Sequence, residues 1–376
     1  MALDGITLNL LIGPGVPVPA PAEVVDALES AEVTSAADRS GFQLKFRLGP
    51  RSTLQNALLP AGYFDPISTR VILIATVRGL PQVLADGVVT RQEMSPSNTP
   101  GQSMLTITGE DMSLMMDLVE MPFMRFPAQP VVVRVYAILA KYAAFGIAPI
   151  ALPPVIPDMA NPLEAIPSQT GTDRAYLKKL AEDCGYVFYV EPGPAPGANI
   201  AYFGPDIRIP APQPALTVNM GAHSNVEALS FTLDGTAKKI VVMTVMDPIS
   251  RRAPIPVPVP NISVLRPPMG LRPTLPAKVE FPTDAARLAP DKAASYALGL
   301  SFKAADAITG SGSLDVLRYG HVLRSRMMVG VRGAGLAYDG LYYVNTVTHK
   351  LKPGEFKQSF SLSRDGLVSN TPLVPV

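Results

Sequence analysis

The chain has 376 residues, 47% of them hydrophobic and 17% charged, with a formal net charge of +1. This length and apolar content suffice for two or three packed units and exclude disorder throughout. The near-neutral balance excludes an electrostatic case for nucleic acid or an anionic membrane as partner. The 40 prolines, about twice the usual share, favour short strands and stiff extended connections over long helices. Cys184 is the single cysteine, so no intrachain disulfide can form, which fits a reducing compartment or a protein that needs no stapling.

The N-terminus, Met1-Ala-Leu-Asp-Gly-Ile-Thr-Leu, has no basic region ahead of an apolar one, so no secretory signal is expected. No apolar run reaches the roughly 18 residues of a membrane-spanning helix. Val131 to Ile156, the longest candidate, is interrupted by Arg134, Lys141 and several prolines. The chain reads as made in the cytoplasm, with no membrane insertion.

An apolar strand over 5–12 ends at Gly13-Pro-Gly-Val-Pro-Val-Pro-Ala-Pro. Phe42, Leu44, Phe46 and Leu48 alternate with Gln43, Lys45 and Arg47, the period of a half-buried strand. Further strands are expected over 70–78, over 82–94 with a turn at Asp86-Gly87, and over 103–109. Asp111 can cap a short helix over 112–121, and 132–145 is a second helix. A proline-rich connector follows over 149–167. Thr172 can cap a third helix, on which Leu177, Leu180, Ala181 and Cys184 share one face. Gly185 ends it, and 186–191 with 199–203 read as a hairpin. Strands around 226–233 and 239–246 precede a proline-rich stretch, 251–290, expected to run extended. A helix over 291–308 and strands over 322–332, 341–351 and 355–364 complete the chain.

The chemistry-bearing residues form no constellation. His223, His321 and His349 have no metal-ligand spacing, and each reads as a surface or strand residue. Cys184 reads as a small buried side chain rather than a nucleophile. Gly330-Val-Arg-Gly-Ala-Gly has the wrong order for a dinucleotide fingerprint, and Gly310-Ser-Gly-Ser reads as a flexible turn after a helix. Glu110-Asp111 and Glu182-Asp183 are more simply a helix start and a solvated helix end than acid–base pairs. Alternation puts Tyr342 and Tyr343 on opposite faces of a strand, so one can be core while the other meets a partner. No catalytic, cofactor-binding or metal-binding residue is assigned, and no cofactor is expected.

Three segments carry a resemblance. Leu314-Asp-Val-Leu-Arg-Tyr-Gly-His-Val-Leu, Val331-Arg-Gly, Tyr338-Asp-Gly-Leu-Tyr-Tyr-Val-Asn-Thr-Val-Thr-His-Lys-Leu and Phe360-Ser-Leu-Ser-Arg-Asp-Gly-Leu together resemble the C-terminal barrel of phage late-control-D hub proteins. Thr172-Asp-Arg-Ala-Tyr-Leu-Lys-Lys-Leu-Ala-Glu-Asp-Cys-Gly-Tyr-Val-Phe-Tyr-Val is similar to the helix and hairpin between that family's two barrels. Leu105-Thr-Ile-Thr-Gly-Glu-Asp-Met-Ser-Leu-Met-Met-Asp resembles the close of the first barrel.

The resemblance implies a mainly β protein with α+β insertions, built from two tube-like β-barrel domains and a small helix-hairpin domain. The expected boundaries are 1–125 for the first barrel and 126–209 for the helical linker and small domain. The second barrel then covers 210–370, with a proline-rich and helical insertion over 251–310, and 371–376 is a tail. It further implies a non-enzymatic baseplate hub of the contractile injection system or phage tail type, including the N-terminal part of VgrG proteins. Such a hub is a homotrimer joining a hexameric inner tube to a separate trimeric spike, with baseplate wedge proteins as neighbours. Alternatives of other classes are a tail-associated cell-wall-degrading enzyme, which needs placed carboxylates, and a stand-alone β-rich adhesion protein.

Overall fold

Alternating burial is what turns these segments into strands: one face of each must leave water, and its backbone groups must pair on the way. The computed structural model describes residues 2–3, 5–36, 40–49, 52–99, 101–122, 124–156, 166–209, 211–246, 254–259, 266–282 and 290–371. Its fold is mainly β.

Six long strands come first, with two-residue strands at Ala2–Leu3 and Val18–Pro19 beside them: β1 (Ile6–Pro14), β2 (Leu28–Ser35), β3 (Gly41–Leu48), β4 (Thr69–Val77), β5 (Leu80–Ser95) and β6 (Ser103–Asp111). They lie side by side in the order β1-β4-β5-β6-β3-β2. Asp111 then caps a 3-10 turn, Met112–Met116, accepting a hydrogen bond from Ser113 N–H at 2.9 Å. The turn is shorter than the helix expected there.

A second unit follows: α1 (Val131–Ala140), β7 (Ile147–Ala151), α2 (Asp173–Asp183), β8 (Val187–Pro192) and β9 (Asn199–Gly204). Thr172 caps α2 by accepting from Ala175 N–H. Leu177, Leu180 and Ala181 are buried with Phe188, Val190 and Phe203 in one cluster. β8 and β9 form the expected hairpin. β7, overlapping the start of the expected connector, pairs parallel to β9 as an edge strand, a position that tolerates Pro149. Residues 157–165 of that connector lie outside the described residues.

The remaining strands are β10 (Gln213–Thr217), β11 (Val226–Leu233), β12 (Lys239–Met246), β13 (Pro254–Pro258), β14 (Gly270–Pro273) and β15 (Lys278–Glu280), then, after helix α3 (Pro290–Lys303), β16 (Ile308–Asp315). The short α4 (Val316–Tyr319) leads to β17 (Met328–Arg332), β18 (Gly340–Lys352), β19 (Glu355–Arg364) and β20 (Gly366–Ser369). Six of these lie in the order β10-β17-β18-β19-β16-β11. Numbered within each set, this is the same order as the first: one, four, five, six, three, two.

The repetition extends to register. Leu28 faces Phe46 and a bulge precedes Ser30; Val226 faces Leu314 and a bulge precedes Ala228. The fifth strands carry the second bulge, between Val89 and Arg91 in one set and between Val344 and Thr346 in the other. The sets differ at their first strand, which runs antiparallel to β4 in one and parallel to β17 in the other. One buried cluster spans both, from Leu44 and Phe46 to Tyr342 and Phe360.

Several expectations are corrected. Residues 80–95 run as one strand through Asp86-Gly87. The Asp86 carboxylate is held by Arg70 and Asn199, and a Cβ on Gly87 would sit 2.0 Å from the Glu110 carbonyl oxygen. Glycine is needed there for close strand approach, not for a turn. Gly310-Ser-Gly-Ser is likewise not a turn but the start of β16, paired on both sides. The rings of Phe231 and Phe360 cover Gly310 and Gly312, 2.9 and 2.6 Å from where a Cβ would lie. The helix before it ends at Lys303. The excursion from the second set runs from Leu233 to Ile308, wider than the expected 251–310 at its start. Its proline-rich part is extended but pairs within its own chain: β13 and β15 flank β12, and β14 pairs with β20. Residues 251–253, 260–265 and 283–289 lie outside the described residues.

Leu177 is fully buried while Lys179 is exposed on the same helix. Leu177→Ala is expected to cost about 2–5 kcal/mol and Lys179→Ala well under 1 kcal/mol, measured by urea unfolding.

Candidate functional site

The groups that chemistry would need are dispersed. Among the described residues no group of three or more His, Cys, Asp or Glu side chains could hold a metal ion. No described helix is long and apolar enough to cross a membrane. Cys184 is half-buried at the C-cap of α2 rather than in the core, on the wall of a cavity of about 420 Å³ shared with Tyr186, Tyr296 and Gly299. Glu110 and Asp117 hold Arg174 of α2.

Tyr342 and Tyr343 do occupy opposite faces, but neither is free for a partner. Tyr342 lies under the Arg364 guanidinium at 4.4 Å and donates to the Tyr338 carbonyl at 2.7 Å. Tyr343 is buried under Arg208, 4.3 Å from its ring. Arg208 in turn makes a two-pronged pair with Asp306, at 3.0 and 2.9 Å, and Arg266 adds a third bond at 3.1 Å. Burial alone would raise the Asp306 pKa, but the two guanidiniums hold it below the ordinary carboxylate range. This cluster ties the linker after β9, the proline-rich arm and the second sheet together; charge pairs this buried are costly to break singly.

What the structure concentrates instead is strand edge. β2, the last strand of the first set, pairs antiparallel with β18 of the second, Ala31 with Leu351 through Ser35 with Val347. This seam makes one sheet of both sets. Side chains reinforce it: Thr34 and Thr348 hydroxyls lie 3.2 Å apart, and Ser35 and Ser325 hydroxyls 2.7 Å apart. Arg326 donates to the Ala36 carbonyl and lies 4.0 Å over the Tyr189 ring, bringing the helix-hairpin unit to the seam. The corresponding edges elsewhere in the sheet are open. Among the described residues nothing pairs with the second side of β11, nor with Arg91–Ser95 on the side of β5 away from β6. Arg91 to Ser95 are all exposed, as are Ser230, Thr232 and Leu233. An unpaired edge of this kind is a template for another strand. Sequence reasoning missed it, because edge and central strands carry the same alternation.

No protein-family model and no curated protein matches the sequence. Solved structures do match in fold. A tail protein from Neisseria meningitidis MC58 aligns with TM-score 0.59 at 14% identity over 97% of this chain and 98% of that one. The 43 kDa tail protein of prophage MuSo2 from Shewanella oneidensis gives 0.61 at 13% identity, over 96% and 100%. A type VI secretion component of E. coli, described as structurally similar to the T4 bacteriophage tail proteins gp27 and gp5, gives 0.51 at 10% identity, over 93% and 76%. The chain therefore has the fold of phage tail and type VI secretion proteins.

Beneath the seam sits a buried histidine, His349. Gln358 accepts from Leu323 N–H through Oε1 at 2.9 Å and donates through Nε2 to the Leu323 carbonyl at 2.9 Å. Those two bonds fix the amide, so its nitrogen must also donate to His349 Nδ1 at 3.0 Å. An Nδ1 that accepts cannot carry a proton, so the ring is neutral. Burial, with Arg324 nearby, pushes its pKa from 6.5 down to about 4. Below about pH 6.5 the unfolded chain binds a proton that the folded chain refuses. Stability is thus full above that pH and falls as pH drops, by up to about 1.4 kcal/mol per unit from this residue. Urea unfolding at pH 7, 6 and 5 is expected to show this slope in the parent protein and a shallower one in His349→Gln.

Proposed function

We propose that this protein is the structural hub of a phage-tail-like contractile injection particle. Three copies would join a hexameric inner tube to a separate trimeric spike, with baseplate wedge proteins around them. The single observation that carries the reading is the internal repetition: two six-stranded sets in one order, with two of their bulges in matching places. A chain that holds two copies of one plan offers, as a trimer, six similar surfaces around a threefold axis. That meets a sixfold ring on one side and a threefold object on the other without a symmetry clash. The likeness in fold to tail proteins and to a type VI secretion component supports the same reading.

On this reading residues 1–125 and 210–370 are tube-like barrels, and 126–209 is a linker and helix-hairpin domain lying against the seam. Both barrels contribute to the rim that meets the tube, and the helix-hairpin domain and C-terminal tail face the spike. Catalysis has no part in it. The particle, whether virion tail or cellular injection device, would take the protein up after its synthesis in the cytoplasm.

The test is a reconstruction of the particle, with native mass measurement of the purified protein alone and with its spike. Three copies between tube and spike are expected. One or six copies per particle, or peptidoglycan hydrolysis lost on changing one carboxylate, would overturn the proposal.

A further inference from the structure

The seam inside the chain is half of a pattern. It joins the second strand of one set (β2) to the fifth strand of the other (β18). Each chain also carries the complementary pair of elements: the second strand of the second set, β11, and the fifth strand of the first set, β5. Both are open on the side that the seam uses. They stand at opposite parts of the sheet, with β6, β3, β2, β18, β19 and β16 between them, and do not pair within the chain. We infer that β11 of one copy pairs antiparallel with the C-terminal half of β5 of a second copy, repeating the seam between molecules.

The matching registers specify the residues. Thr34 faces Gly41 and Thr232 faces Thr309 in equivalent places on their third strands, so Thr232 corresponds to Thr34. Gly41 and Thr309 face Glu110 and Ser363 on the sixth strands. The bulged pairs, Val89 with Gly109 and Val344 with Leu362, then align β5 with β18, so Glu93 corresponds to Thr348. Within the chain Thr34 is paired with Thr348. Between chains Thr232 should therefore face Glu93, with Gln92 opposite Leu233, Met94 opposite Phe231 and Ser95 opposite Ser230.

The side chains suit the pairing. No two like charges meet in these four pairs, as directly opposed strands require. Met94 and Leu233 are apolar yet 36% and 39% exposed in the single chain. Met94 stands where the second set has His349, which the internal seam leaves only 5% exposed. A thioether against the Phe231 ring is a favourable contact. Because each copy offers β11 and the free half of β5 at two different places in the sheet, the contact is head-to-tail and closes into a ring when the rotation between copies repeats.

The inference rests on the ring arrangement of the proposed function, and a cysteine pair separates the two. Thr34 and Thr348 hydroxyls lie 3.2 Å apart, so side chains at the equivalent intermolecular pair fall within disulfide reach. Glu93 and Thr232 are both exposed, so replacing them leaves the core intact. The full-length double variant E93C/T232C, oxidised under assembling conditions, is expected to yield reducible oligomers ending in a covalent trimer. Each single variant, with Cys184 present, is expected to stay uncrosslinked, and E93C/S230C, two residues out of register, to crosslink at least several-fold less. A native trimer in which E93C/T232C crosslinks no better than E93C/S230C would overturn the strand pairing and leave the trimeric hub standing. A protein that remains monomeric with its spike present would overturn both.

Discussion

Five residue pairs between β2 and β18 are the constraint on which the rest of this molecule depends. They turn two separate six-stranded sets into one sheet and bring their apolar faces into one core. Backbone pairing is directional, so it also fixes the angle and offset between the two copies of the plan within the chain. A hydrophobic contact of similar size would not do this alone, since burial is non-directional. The seam is locked further by hydroxyl pairs at Thr34–Thr348 and Ser35–Ser325 and by the enclosed His349–Gln358 pair beneath it.

Polar groups elsewhere act as fasteners between units. Arg70 and Asp86 form a two-pronged pair at 2.7 Å within the first set, and each also reaches the β8–β9 hairpin unit, through the Gly197 carbonyl and Asn199. Arg174 of α2 returns to Glu110 and Asp117. Asp306 gathers Arg208, Arg266 and Ser363 from the linker, the arm and β19. Such buried charge clusters are weak as net stabilisers but strict about geometry, because one missing partner leaves an uncompensated charge. These clusters therefore hold the units of the chain in fixed relation to one another.

Much of the fold was legible where alternation was clean. β3, with Phe42, Leu44, Phe46 and Leu48, reads directly from the sequence, as do the Thr172-capped α2 and its hairpin. β2 was not legible because the bulge after Leu28 breaks its period: its buried residues are Leu28, Ala31 and Val33, spaced three then two. Asp86-Gly87 and Gly310-Ser-Gly-Ser carry the composition of turns, yet all three glycines serve close packing. Local propensity could not reveal the partners, Glu110, Phe231 and Phe360, that demand them. Two barrels of one plan were expected from the family resemblance, but their common strand order and matching bulges were not legible in the residues, because they depend on which strands pair. The open edges were invisible for a related reason, since edge status depends on what the rest of the chain covers.

Amide hydrogen exchange, followed in the isolated chain and in the assembled ring, tests the central claim most directly, because protection reports paired backbone. The account predicts that residues 31–35 and 347–351 are protected in both states. It predicts that residues 92–95 and 230–233 exchange faster in the isolated chain and gain protection together on assembly. Assembly that leaves those two segments as exposed as before would contradict it.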